Sequence, residues 1–146
     1  MSDTQAPTQT YKASCHCGAF AYKVTTASLD DASTEVVRCN CSICMRNGYL
    51  LIYVPNDQVE FTSGNFEDLK SYTFASHMVA HYFCSTCGSS CMARSVSPGF
   101  FDGMSIVNIR LFEGVELEKL RFKEMDGRSY STEDAKARVA EIQKAS

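Results

Sequence analysis

No apolar run in this sequence approaches the ~20 residues that a membrane-spanning helix needs. Residues 1–10 have neither the basic start nor the apolar stretch of a secretory signal. Lys and Arg are scattered, and the net charge is −3 at pH 7, so no basic stripe is present to follow a phosphate backbone. Internal repeats and low-complexity blocks are also missing. The expectation is a protein of the cytoplasm, with the nucleus also open to it, that has no membrane or nucleic-acid partner. Nothing here indicates the oligomeric state.

At 146 residues, with 45% hydrophobic and 21% charged side chains, the chain has the size and composition of one ordinary globular domain. Residues 1–10 are polar and read as a disordered tail, residues 11–130 as the domain, and residues 131–146 as a C-terminal helix. Strand signals dominate that domain. Ala19–Val24 and Leu69–Phe74 alternate apolar with polar, and Glu35–Arg38, Val59–Phe61, Met78–Phe83 and Met104–Leu111 are rich in β-branched and aromatic residues. Tyr49–Val54 is continuously apolar and suits a strand buried on both faces. A capping box at Ser131-Thr132-Glu133-Asp134 opens the helix, expected over about 132–144. The fold class expected is mainly β.

Against these absences stands one abundance, eight cysteines. Seven fall in three clusters: Cys15-x-Cys17-Gly18, Cys39-x-Cys41-x-x-Cys44 and Cys84-x-x-Cys87-Gly88, with Cys91 just beyond the last. In a reducing compartment, thiols this closely spaced hold a metal more often than they pair as disulfides. A turn with x-x spacing converges two sulfurs on one ion ~2.3 Å away. Gly18 and Gly88 supply the positive φ such turns require.

Seven thiols exceed one tetrahedral site and fall one short of two. The natural partition is a closed site of Cys15, Cys17, Cys84 and Cys87 and an open site of Cys39, Cys41 and Cys44. Closed zinc sites are structural, whereas a three-ligand site keeps a position for water or substrate. The competing arrangement is one four-cysteine ribbon with leftover thiols, but ribbon pairs lie ~15–20 residues apart and Cys44 is much further from Cys84. Three thiolates make a weak Lewis acid, better suited to a soft fourth ligand such as a thiol, which zinc deprotonates. A thiolate held there can attack an aldehyde carbonyl or leave from the adduct.

Cys15-His16-Cys17-Gly18, Cys39-Asn40-Cys41-Ser42-Ile43-Cys44 and Tyr82-Phe83-Cys84-Ser85-Thr86-Cys87-Gly88 together resemble the glutathione-dependent formaldehyde-activating enzyme family, which includes centromere protein V-type domains. Arg46-Asn47-Gly48-Tyr49, Val107-Asn108-Ile109-Arg110 and Asp126-Gly127 resemble its eukaryotic, fungal-like branch. The resemblance implies a β-tent of small antiparallel sheets knitted by two zinc ions. It gives a structural ion to Cys15, Cys17, Cys84 and Cys87 and a catalytic one to Cys39, Cys41 and Cys44. It also implies carbon–sulfur lyase chemistry on a thiol adduct, with glutathione and formaldehyde as the family's named substrates. The rivals are a non-catalytic zinc module that binds protein or chromatin, and a lyase or dehydratase of a specialised pathway.

Arg46 can fork onto a glutathione carboxylate, with backbone N–H groups near Asn47 and Gly48 beside it. Met45 stands where many relatives have a basic residue. His16 is expected to point away from the metal, His81 to be a hydrogen-bonded strand histidine with proton shuttling as the alternative, and Cys91 to be a small buried hydrophobe with a fourth ligand to the open site as the alternative. Tyr49, Tyr53, Phe100 and Phe101 read as core aromatics, with the lining of a pocket as the alternative.

Overall fold

The computed structural model describes residues 8–31, 34–99 and 101–129. Among these residues ten strands form two sheets. The smaller has the order β1-β2-β5, with β1 Thr8–Ser14, β2 Ala21–Ala27 and β5 Val59–Ser63. The larger has the order β10-β3-β4-β9-β8-β7-β6. Its strands are β3 Val36–Cys39, β4 Leu51–Pro55, β6 Lys70–Tyr72, β7 Val79–Phe83, β8 Ser90–Ser95, β9 Met104–Asn108 and β10 Phe122–Met125. Pairing is antiparallel throughout except for β10 with β3, which run parallel. The mainly-β expectation holds. One short helix, α1 Ser42–Asn47, follows β3. No helix among the described residues is long and apolar enough to cross a membrane.

Central strands of the large sheet are buried on both faces, so their successive side chains serve two different cores. Ile52, Met92 and Val107 face the small sheet, where they pack with Tyr11, Tyr22 and Val24. Leu51, Ala93 and Ile106, their neighbours in sequence, face the other way, toward Val37, Tyr49 and Phe101. That second face also carries Cys39 and Cys44.

Several sequence expectations need correction. Thr8, Gln9 and Thr10 belong to β1, not to a tail, because they pair with Ala27, Thr26 and Thr25. The exposed Thr10 and Thr25 hydroxyls meet at 2.9 Å, a polar cross-strand pair that composition alone does not reveal. β2 starts at Ala21, since Cys15–Phe20 forms a turn in which the Cys15 amide donates to the Phe20 carbonyl. Tyr49 and Leu50 precede β4, and Ile109–Leu111 leaves β9 as a single 3-10 turn. The helix expected at about 132–144 lies outside the described residues, as do residues 1–7 and Phe100.

Candidate metal centres and the adjoining cavity

Cys15 and Cys17 occupy the turn joining β1 to β2, and Cys84 and Cys87 the turn joining β7 to β8. The four sulfurs lie within 4.8 Å of one another. Gly18 at φ 83° and Gly88 at φ 79° close the two turns, where their amides donate to the carbonyls of Cys15 and Cys84. Backbone amides also face the sulfurs: Phe20 N–H donates to Cys15 Sγ at 3.4 Å and Thr86 N–H to Cys84 Sγ at 3.4 Å. Ser89 joins the turns, as its hydroxyl accepts from the His16 amide at 3.0 Å and lies 3.3 Å from Cys87 Sγ. The Ser89 hydroxyl and amide pull the Cys87 thiol down to about 5.

The distances fit a metal. A tetrahedral zinc with sulfur ligands at ~2.3 Å sets them about 3.8 Å apart. Cys15 Sγ and Cys17 Sγ are 3.7 Å apart, and Cys17 Sγ and Cys84 Sγ 3.6 Å. No disulfide competes for these sulfurs, because all eight cysteines are free thiols.

The second cluster stands where β3 turns into α1. Cys39 ends β3, Cys41 is the helix N-cap, and Cys44 is the buried residue of α1. Their sulfurs also lie within 4.8 Å of one another. Each thiol hydrogen-bonds to its neighbours, with opposite effects: Cys39 and Cys44 hold the Cys41 thiol far below its usual range, and Cys39 and Cys41 push Cys44 far above. Three sulfurs this close resist ionising together unless a cation sits among them. Gly127 covers the cluster on one side, and a Cβ there would come within 2.5 Å of Cys39 Sγ. Asn40 secures this cover: its Nδ2 donates to Asp126 Oδ1 at 2.8 Å and its Oδ1 accepts from the Arg128 amide at 3.0 Å.

The three sulfurs form one end of a 290 Å³ cavity whose other walls include Ile43, Tyr49, Tyr53, Phe74, His81 and Ala93. His81 in β7 is 9% exposed, and its Nδ1 lies 3.0 Å from the Tyr49 hydroxyl. Burial lowers the His81 pKa and pushes the Tyr49 hydroxyl up to about 12, so both side chains stay neutral near pH 7. A closed cluster of four thiols and an open cluster of three on an apolar cavity thus share one small domain.

The family model for the glutathione-dependent formaldehyde-activating enzyme matches residues 10–125. The chain belongs to that family. Its fold is similar to that of a crystal structure of a Rhodobacter sphaeroides protein, at 29% identity, TM-score 0.59, and coverage of 77% of this chain and 99% of that one.

Within this family member, the sequence-predicted residues separate into those the fold gathers and those it does not. The seven clustered cysteines meet in the two groups expected from their spacing. Arg46 does not line the sulfur cavity; its Nη1 donates to the Ser42 carbonyl at 3.0 Å, one turn back in α1. Gly48, at φ 63°, caps α1 and gives its carbonyl to Arg110 Nε. Asn47 borders an adjoining hollow that shares Ile43, Tyr49 and His81 with the cavity. His16 is exposed and outside both clusters. Cys91 is fully buried, and burial pushes its thiol up to about 12. Tyr49 and Tyr53 line the cavity, the alternative that the sequence left open for them. Sequence reasoning missed the Tyr49–His81 pair and the bridging role of Ser89. It noted Asp126-Gly127 only as part of a resemblance, although a glycine in an ordinary backbone conformation signals a close approach.

Proposed function

We propose that this protein is a zinc-dependent carbon–sulfur lyase acting on a thiol adduct of an aldehyde, with glutathione as the thiol and the cytoplasm as its location. The open three-thiol cluster at the end of an apolar cavity carries this reading. Family membership supports glutathione and formaldehyde chemistry. Eight free thiols suit a reducing compartment.

In this reading, Cys15, Cys17, Cys84 and Cys87 hold a structural zinc, and Cys39, Cys41 and Cys44 a catalytic one. When bound, the catalytic ion supplies an anchor that keeps a thiol sulfur ionised. The chain's own residues do the rest. Leu51, Ala93 and Ile106 exclude water around the carbonyl, which raises the weight of every polar contact inside. The neutral His81 imidazole, steadied by Tyr49, offers a hydrogen bond to the carbonyl or hydroxyl oxygen of the adduct. Asn47 and its hollow accept the polar body of glutathione beside the cavity. Arg46 swings from its exposed place on α1 to meet a carboxylate at the rim, near the Asn47 and Gly48 backbone. Holding sulfur and carbonyl carbon together removes much of the entropic barrier to addition.

Adduct formation is spontaneous in water, so the test subtracts the background. Exchange spectroscopy on glutathione with formaldehyde should show acceleration by the zinc-loaded protein and none by Cys41→Ala. Equal exchange with and without the wild-type protein would overturn the lyase reading.

A further inference from the structure

The cavity at the three-thiol cluster is far larger than formaldehyde needs. Its volume is 290 Å³. An apolar cavity of ~150 Å³ already admits benzene, whereas one water occupies ~30 Å³ in the liquid. Formaldehyde, with two heavy atoms, would leave most of this space unfilled. No Lys or Arg lines the cavity among the described residues. A carboxylate placed against Leu51, Val79 and Ile106 would lose its hydration and gain no partner, which is strongly unfavourable. The charged body of glutathione is therefore disfavoured against these apolar walls, and something uncharged suits them better.

Two features show that these walls are built and not residual. The segment 73–78 between β6 and β7 holds Ala75 at φ 54° and His77 at φ 57°. Residues with a Cβ enter this left-handed region only at a cost, and such strain gathers where a ligand is gripped. The His77 amide donates to the Phe74 carbonyl at 2.8 Å, and Thr73 Oγ1 lies 2.8 Å from His77 Nδ1. The outcome is a Phe74 ring stacked on His81 at 5.7 Å. On another wall Tyr53 is backed from outside the cavity by Phe101, also left-handed at φ 53°, whose ring stacks on it at 5.2 Å. Flat aromatic faces of Tyr49, Tyr53 and Phe74 therefore line the space, with His81 and Ser76 among its polar groups.

We propose that this cavity binds the ring of an uncharged aromatic aldehyde, whose carbonyl carbon is the one joined to the thiol sulfur. The inference rests on the carbon–sulfur lyase reading above and names its substrate class. In the addition, the sulfur lone pair forms the C–S bond and the carbonyl π pair moves to oxygen. The oxygen takes up one proton, equal to the one the thiol gave up. Thiol and aldehyde thus sum to a hydroxy-thioether with no oxidant or reductant, and the reverse step breaks C–S and returns the proton to sulfur. The ring stays between the aromatic walls while the hydroxyl faces His81.

Zinc-loaded protein with glutathione would be given formaldehyde, benzaldehyde or 4-carboxybenzaldehyde in turn, with exchange measured relative to each uncatalysed mixture. Benzaldehyde should be accelerated about tenfold or more beyond formaldehyde, from the burial of one ring, and 4-carboxybenzaldehyde should fall well below benzaldehyde. Benzyl alcohol, which cannot form the adduct, gives a readout apart from activity. It should bind, with magnetisation transfer from aromatic protons of the cavity, and it should compete with benzaldehyde. Met78→Lys places a cation on the wall; benzyl alcohol binding should weaken about tenfold and the preference should shift toward 4-carboxybenzaldehyde. Formaldehyde accelerated as well as benzaldehyde, or benzyl alcohol failing to bind while formaldehyde turns over, would overturn the substrate class and leave the lyase reading standing. Acceleration of none of the three aldehydes would overturn both.

Discussion

Gly127→Ala adds one methyl group at the point where β10 runs out over the three-thiol cluster. The new carbon would lie 2.5 Å from Cys39 Sγ and 3.2 Å from Cys41 Cβ. Nonbonded heavy atoms settle at about 3.5–4.0 Å, so the overlap with sulfur is about 1 Å or more. The glycine cannot easily retreat, because Asn40 N–H donates to the Met125 carbonyl at 3.1 Å on one side of it and Asn40 Oδ1 accepts from Arg128 on the other. Left-handed strain plays no part, as Gly127 is not in that region. The Cys39 sulfur must therefore move. Metal–ligand distances tolerate only ~0.2 Å, so a shift of this size removes one of three ligands. The stability cost should be about 1–3 kcal/mol, as for other overpacked sites. Elemental analysis and a thermal melt on the same sample would measure both effects. The expected outcome is a folded protein with a modestly lowered Tm that retains the four-thiol ion, has lost the three-thiol ion and no longer accelerates exchange. Wild-type zinc content with an unchanged melt would refute the argument.

Cys87→Ala should be destabilised by several kcal/mol, because it opens the cluster joining two distant turns, whereas Cys44→Ala should stay folded and lose only its own ion; paired melts and zinc analysis compare them. Asn108→Ala should cost about 3 kcal/mol or more by urea denaturation. The 2%-exposed Asn108 amide accepts from the Leu50 and Arg110 amides and donates to the Ser90 carbonyl, and all three would be stranded. Burial lowers the folded-state pKa of His81, so the unfolded chain binds the proton more readily and stability is complete above the unfolded value of ~6.5. Stability should therefore fall as pH drops below about 6.5 toward the folded value, and His81→Gln should flatten that fall in urea melts at constant zinc content.

The grouping of the thiols was legible in the sequence because their spacing is local: Cys39, Cys41 and Cys44 converge within one turn, and Gly18 and Gly88 reveal their turns by residue type alone. The continuous apolar run ending at Val54 likewise showed a strand buried on both faces. α1 was not legible, since six residues are too few for a helical period to emerge and its cap is a cysteine. β8 and β10 mix polar and apolar residues, because Arg94 and Lys123 sit within them. Arg94 owes its tolerance to contacts visible only in three dimensions, a hydrogen bond from Nε to Ser105 Oγ at 2.9 Å and the Phe66 ring 3.8 Å beneath its guanidinium. The cavity was hidden for the same reason: its walls come from α1, β3, β4, β7, β8, β9, β10 and the segment before β7, and no pattern in any one of them announces a space between them.

The bridge between the β1–β2 turn and the β7–β8 turn also bears on how the chain reaches this state. Cys17 and Cys84 are 67 residues apart, and bringing the ends of such a loop together costs roughly 4 kcal/mol of chain entropy before any contact rewards it. Neither hairpin holds both thiol pairs, so each must form and then find the other, which places the pairing late on the folding path. An ion captured first by one pair would turn the second encounter into a search by a tethered partner. Refolding should therefore speed up with zinc supplied from the start and lag when zinc is added only after the chain has collapsed, so that the metal supply in the cell sets how long newly made chains stay open to aggregation.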